Sequence, residues 1–313
     1  MARLTTSANT TTVGSVWYNS TINRLQFSYA GAAWSAGGAL STARYKLAGA
    51  GTQNAGLAFG GVAPAAVSCT EEYNGSSWSS GGALITTRYG LAGAGTQNAG
   101  LAFGGSIPTS PFYSTCTEEY NGASWSSGGA LITARYYLAG AGTQDEAFAF
   151  GGYASPASVS CTEEYNGSSW SAGGALITGR HYLAGAGTQN AGLAFGGLDD
   201  YFAVLGCTEE YNGTSWSTGG TLINVREQSA GAGTQTAGLA FGGMGNAFIK
   251  LSCTEEYNGS SWSAGGAMIT ARYSLAGAGT QNAGLAFGGE SNYGLVSCTE
   301  EYNQGAVICT CTL

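Results

Sequence analysis

Cys69-Thr-Glu-Glu-Tyr-Asn-Gly-Ser-Ser-Trp78 and, a little further on, Leu91-Ala-Gly-Ala-Gly-Thr-Gln-Asn-Ala-Gly-Leu-Ala-Phe-Gly-Gly105 return along almost the whole chain. The double glycine recurs at Gly60, Gly104, Gly151, Gly196, Gly242 and Gly288, in steps of 44, 47, 45, 46 and 46 residues. The Cys-Thr-Glu-Glu-Tyr run starts at Cys69, Cys116, Cys161, Cys207, Cys253 and Cys298. A fixed period of this size is the mark of a repeat architecture, in which one small unit buries its core only against its neighbours.

One unit, from Ala83 to Trp125, reads as four short strands with no helical period. Tyr89 to Gln97 is an Ala/Gly-dominated strand, and Asn98-Ala-Gly100 is a turn. Leu101-Ala-Phe103 is a second, apolar strand closed by Gly104-Gly105. After a variable loop, Cys116 to Tyr120 is a third strand, Asn121-Gly122 a hairpin turn, and Ser124-Trp125 opens a fourth. Four antiparallel strands in about 46 residues make one propeller blade. The small residues of the first strand suit an innermost position beside a narrow channel, while Tyr and Trp fill the wider gap between blades. The expected fold is therefore all-β, a propeller of six four-stranded blades.

The ends of the chain predict how the ring closes. Cys298-Thr-Glu-Glu-Tyr302 lacks a Trp strand of its own, and Tyr29-Ala-Gly-Ala-Ala-Trp34 supplies one without preceding strands. Joined, they form a composite blade that hides a strand edge. The hairpin of Ser15–Asn19 and Arg24–Tyr29, with the strand-like tail Ala306–Leu313, leaves a seventh blade as the alternative. Residues 1–30 read as an arm and hairpin, and 31–313 as the propeller.

Glycine, at 54 of 313 residues, would suit a linker, but 43% hydrophobic and 12% aromatic residues supply enough apolar surface to fold. The net charge of −8 belongs to the framework: twelve of the 18 acids are the paired glutamates, and six of the ten bases are the repeat arginine, Arg44, Arg88, Arg135, Arg180, Arg226 and Arg272. No basic stripe exists to bind nucleic acid. No apolar run has the length of a signal peptide or a bilayer span, which predicts synthesis in a cytoplasm without membrane insertion. Six of the eight cysteines are one repeated position, too far apart to pair, so buried, reduced thiols are expected. The Asn-Gly-Ser/Thr sequons at Asn74, Asn166, Asn212 and Asn258 read as turns.

Catalytic constellations are absent. The lone histidine, His181, stands where other units have Tyr45, Tyr89, Tyr136 and Tyr273, and reads as a packing substitute. Cys309 and Cys311 have the wrong spacing for zinc. Gly93-Ala-Gly95 imitates a phosphate loop, without its lysine or helix. Glu71 and Glu72, adjacent on a strand, face opposite ways and cannot act as a glycosidase pair. One glutamate of each pair is expected to meet the repeat arginine between blades. No enzyme, cofactor or metal is expected.

The double glycine after an apolar strand, the later Tyr and Trp, and the Arg before the next unit resemble the kelch repeat over residues 31–303. The Thr-Glu-Glu-Tyr strand departs from it, since kelch repeats usually carry an apolar residue at one glutamate position. A copper oxidase of the galactose-oxidase kind would need two histidine ligands, and a sialidase an Asp where Tyr73 stands. The wording Gly-Thr-Gln-Asn-Ala-Gly-Leu-Ala-Phe-Gly-Gly with Thr-Glu-Glu-Tyr-Asn-Gly-Ser-Ser-Trp is similar to kelch-like virion proteins of tailed phages, and Gly14-Ser-Val-Trp-Tyr-Asn to their tail-fibre segments. That resemblance implies a virion structural protein whose N-terminal arm docks to other virion proteins, and which meets a host surface glycan or protein or assembles as a homo-oligomer. The alternative is a cellular kelch-type interaction scaffold.

Within the chain, the framework hardly varies while the loops after each double glycine do. They begin at Val62, Ser106, Tyr153, Leu198, Met244 and Glu290, and are expected on one face. Their candidate binding residues are Phe112, Tyr113, Tyr153, Asp199, Asp200, Tyr201, Phe202, Phe248 and Tyr293, because exposed aromatics stack on sugar rings and protein partners.

Overall fold

The computed structural model describes residues 16–19 and 24–311, with side chains from 31 to 305. Six four-stranded antiparallel sheets stand around one axis. In the second blade the strands run from the axis outward as Ala92–Gly95, Gly100–Phe103, Thr117–Tyr120 and Trp125–Ser127. The innermost strands Ala48–Thr52, Ala92–Gly95, Ala139–Gly142, Ala184–Thr188, Ala230–Thr234 and Ala276–Gly279 touch in sequence, and the last returns to the first. The protein is a six-bladed propeller.

Local chemistry explains the crowding at the axis. A Cβ placed on Gly49 would lie 2.5 Å from Phe287 Cζ, and one on Gly93 2.7 Å from the Gly49 carbonyl oxygen. Only glycine lets neighbouring inner strands approach so closely, while the alternate alanines Ala48 and Ala50 are buried. The inner strand is shorter than the sequence suggests because Leu91 and Thr96 already belong to the connections that cross the two faces.

The sixth blade is composite, as the chain ends predict. Its strands are Ala276–Gly279, Ala283–Phe287, Thr299–Cys311 and Arg24–Gly37. Trp34 pairs with Tyr302 in the same register as Trp125 with Tyr120. The two terminal strands continue pairing outward to Leu25 and Cys311, and Val16–Asn19 adds to the far side of Arg24–Phe27. The seventh-blade alternative thus gives way to an extension of blade six. A further blade would need its own inner strand, and six inner strands already close the ring. Residues 1–13 of the expected arm lie outside the described residues.

Each repeated polar residue has one task. The first glutamate of each pair is buried and meets a fully buried arginine: Arg44–Glu71, Arg88–Glu118, Arg135–Glu163, Arg180–Glu209 and Arg272–Glu300 at 3.1–3.3 Å, with Arg226–Glu255 alike. This corrects the expected pairing between blades. Arg88 also donates to carbonyls of Ala102, Gly104 and Cys116, so the pair ties an incoming connection to the blade it enters. The second glutamate spans the blades instead: the hydroxyl of Tyr120 donates to Glu72 at 2.5 Å, and Tyr165 to Glu119 at 2.6 Å. The strand alternation that rules out a carboxylate pair is what gives the two glutamates these separate partners.

Trp and Gln complete the seams. Trp125 Nε1 donates to Thr70 Oγ1 of the preceding blade at 2.9 Å, and its ring lies 5.0 Å from that of Phe59. Gln97 Nε2 donates to the carbonyls of Gly56 and Tyr73, again one blade back. The cysteines correct another expectation. The six described thiols are free, yet five are half-buried rather than buried, and the sixth, Cys116, is exposed. Each precedes the third strand at the rim of a variable loop, where packing is incomplete. The side chains of Cys309 and Cys311 lie outside the described residues.

Candidate functional site: the loop face and its axial mouth

The variable loops and the connections between blades share one face. Short bridges hold them together there: Tyr45 with Val62, Tyr89 with Ser106, Tyr136 with Tyr153, His181 with Leu198, Glu227 with Met244, and Tyr273 with Glu290. Each first partner follows a framework arginine, and each second follows a double glycine.

One residue further on, Lys46, Gly90, Tyr137, Tyr182, Gln228 and Ser274 surround the axis. All six take left-handed φ values, between 51° and 60°. Every backbone N–H in this set donates to the carbonyl of its counterpart one blade back, at 2.7–2.9 Å, and Lys46 donates to Ser274 to complete the circle. The conformation costs of order 1 kcal/mol at a non-glycine residue, and the closed circle of hydrogen bonds holds it in place. These residues form the mouth of a cavity of about 150 Å³, whose walls are the inner strands.

The side chains make the mouth aromatic and sparsely charged. Tyr137 lies over Gly90, where a Cβ would come within 2.7 Å of its ring, and its centroid is 4.0 Å from that of Tyr182. The Lys46 ammonium faces the rings of Tyr45, Tyr89 and Tyr137 at 5.1, 5.7 and 5.3 Å, a cation–π arrangement. Burial lowers its pKa, with Glu290 acting in the opposite sense. Burial likewise pushes the Tyr182 hydroxyl up to about 12 and raises Tyr45, Tyr136, Tyr137 and Tyr273. The tyrosines therefore stay neutral, with hydroxyls able to donate and accept.

The loop residues singled out from sequence divide into two sets. Phe112, Tyr201, Phe202, Phe248 and Tyr293 are exposed. Tyr113 and Tyr153 are half-buried. Tyr113 stacks on Tyr136 at 4.9 Å, and Tyr153 stands edge-on to it at 5.7 Å, so both support the funnel wall. Asp199 accepts from the amides of Tyr201 and Ala203, shaping its own loop. Asp200 accepts from the Ser158 amide at 2.7 Å, which holds its carboxyl below the usual range and joins two loops.

His181 has more than a packing role. Its Nδ1 lies 2.9 Å from Ser158 Oγ, and burial lowers its pKa. Asp200 binds the serine amide, so the three residues do not form a Ser-His-Asp relay. Among the described residues, no three His, Cys, Asp or Glu side chains gather to hold a metal, and no helix is long and apolar enough to cross a membrane.

The sequence reading missed the axial ring. The signal for it was present: the second residue after each arginine is Lys, Gly, Tyr, Tyr, Gln and Ser within otherwise repeated wording. Loop length drew attention outward, while variation at one embedded position marked the centre.

The fold and this face define a six-bladed β-propeller with a variable, aromatic loop face. No family model matches the chain, and no curated protein matches it. Its fold is similar to solved propellers, among them the structure of YjhT, with a TM-score of 0.72. The two chains are 12% identical, and the alignment covers 87% of this chain and 99% of YjhT, a likeness of fold.

Proposed function

We propose that this chain is a non-catalytic structural and recognition protein of a tailed-phage virion. Its N-terminal hairpin attaches it to other virion proteins, and its loop face meets a glycan or protein at the host surface. One observation carries this reading. The loop face concentrates the sequence variation and presents Tyr201, Phe202, Phe248 and Tyr293 at 90, 82, 82 and 100% exposure, whereas the turns of the opposite face repeat Asn-Gly with little change. Large exposed rings on a rigid frame are suited to binding, because little conformational entropy is lost on contact. The virion assignment rests on the resemblance in repeat wording.

The test replaces Tyr201, Phe202, Phe248 and Tyr293 with serine. Their exposure predicts an almost unchanged melting temperature. Truncated anchors cost about 2 kcal/mol or more each, so binding of the purified protein to host cells should be lost. Undiminished binding by a folded variant would refute the role of the loop face. Absence of the protein from purified particles, probed with an antibody, would refute the virion role.

A further inference from the structure

One blade breaks the pattern at the axial mouth. Five units read Arg, Tyr or His, a variable residue, then Leu: Arg44-Tyr-Lys-Leu47, Arg88-Tyr-Gly-Leu91, Arg135-Tyr-Tyr-Leu138, Arg180-His-Tyr-Leu183 and Arg272-Tyr-Ser-Leu275. The fifth blade reads Arg226-Glu-Gln-Ser229. An aromatic ring has become a carboxyl, and a core leucine a hydroxyl. The five leucines are buried and pack under the double glycine of the preceding blade, as Leu91 does against Gly60.

The replacements are buried, and each leaves a polar atom unpartnered. Glu227 is 6% exposed and Ser229 9%, yet Glu227 Oε2 and Ser229 Oγ have no hydrogen-bond partner among the described residues. Every other buried side-chain atom in that condition belongs to the repeated Arg–Glu framework. A buried polar group without a partner costs roughly 1–3 kcal/mol, and Leu→Ser also forgoes apolar packing. Where a repeat departs from its own rule at such cost, function is the usual reason. The neighbours are polar as well. Gln228 and Ser229 line the cavity, and Ser274 Oγ donates to Gln228 Oε1. Burial raises the Glu227 pKa, with the Gln228 side chain acting against it.

Charge narrows the ligand. A cation would find the faces of Tyr45, Tyr89 and Tyr137 already occupied by the Lys46 ammonium. An anion would meet one lysine, Lys46, with Glu227 acting on the neighbouring Tyr182, while Glu290 is paired with Lys250 at 3.6 Å. A neutral, hydroxyl-rich ring suits both parts of the site. A C–H face can meet Tyr182, and its vicinal hydroxyls donate to Ser229 and accept from the Lys46 ammonium and the Gln228 amide, all of which line the cavity. At about 150 Å³ the cavity is well below the roughly 300–1,000 Å³ of pockets that enclose drug-sized ligands, so it admits one ring or a chain end.

We infer that the axial mouth is a binding site for one neutral pyranose, the free monosaccharide or the end of a glycan, with Gln228 and Ser229 of the fifth blade as its polar anchor. This site is separate from the exposed loop aromatics, and it stands whether or not the chain belongs to a virion.

The experiment is saturation-transfer NMR of the full chain with D-glucose, D-galactose, D-mannose and N-acetyl-D-glucosamine, and with D-glucuronate and choline as charged comparators. At least one neutral sugar should bind with a Kd on the order of a millimolar, as a single small ring allows, and more tightly than either comparator. Gln228→Ala should weaken that binding about three- to tenfold, the range for a neutral hydrogen bond. The double variant Glu227→Tyr/Ser229→Leu restores the repeat, so it should melt higher than the parent and lose the sugar. Replacing Tyr201 and Phe202 with serine should leave sugar binding unchanged, which separates this site from the loop face. No saturation of any neutral sugar, tighter binding of a charged comparator, or full binding by the double variant would overturn the inference.

Discussion

Replacing Trp34 with alanine tests how the ring is held shut. Trp34 comes from the N-terminal strand, is 7% exposed, and has ring centroids 5.0 Å from both Phe241 and Tyr302. Its Nε1 donates to Thr254 Oγ1 at 2.8 Å. Removing such a buried ring costs about 3–5 kcal/mol, and the stranded Thr254 hydroxyl adds about 1 kcal/mol. Trp125 has matching contacts inside a blade made of continuous chain, so Trp125→Ala is the control and should lose a similar amount. The two should differ in consequence. Trp34→Ala loosens the one blade assembled from both chain ends and bares the edge of Thr299–Tyr302, which invites pairing between molecules. Urea unfolding followed by tryptophan fluorescence gives the stabilities, and light scattering on a sizing column gives the association. A Trp34→Ala protein that is monomeric and within about 0.5 kcal/mol of the parent, the scale of an ordinary surface change, would show that the N-terminal strand does not close the ring.

Two further outcomes follow from the framework. Burial and the hydrogen bond to a glutamate push the hydroxyls of Tyr73, Tyr120, Tyr165, Tyr211 and Tyr257 up to about 12. Raised folded-state values stabilise the protein fully below the unfolded value near 10, and that stability is lost as pH climbs toward 12. Unfolding and tyrosinate absorbance should therefore rise together in this window, and framework tyrosines ionising near pH 10 in a folded protein would contradict the seam assignment. Unreduced, denatured protein should titrate about eight thiols, the full cysteine count, because repeated positions cannot meet. Among the six described thiols Cys116, the exposed one, should react first in the native state, and a count of two or fewer in the denatured protein would show disulfides.

Much of the architecture was legible in the repeat because the information is local. Period-two burial and the Ala/Gly inner strand recur six times and the Asn-Gly turn five, each within a few adjacent residues. The missing Trp after Tyr302 and the surplus Trp34 even predicted the composite blade. Partner choice within that frame was less legible. Strand alternation implies that Glu71 and Glu72 face apart, but it does not say that Arg44 takes the first and Tyr120 the second. That depends on where the connection crosses the blade and on which side the neighbour stands.

The candidate site divides the same way. Loop length and aromatic content picked out Tyr201, Phe202, Phe248 and Tyr293, whose exposure follows from their place at loop tips. Tyr113 and Tyr153 have the same composition yet lean on Tyr136, because their loops fold inward toward the next blade. The axial mouth appears only after closure. Lys46, Tyr137, Tyr182 and Gln228 stand in different repeats, and no short-range pattern links them. Six inner strands pressed together by glycine bring them within one circle of hydrogen bonds. The sequence alone determined what each unit is. The number of units that close, and hence which odd residues face each other across the axis, was decided by packing.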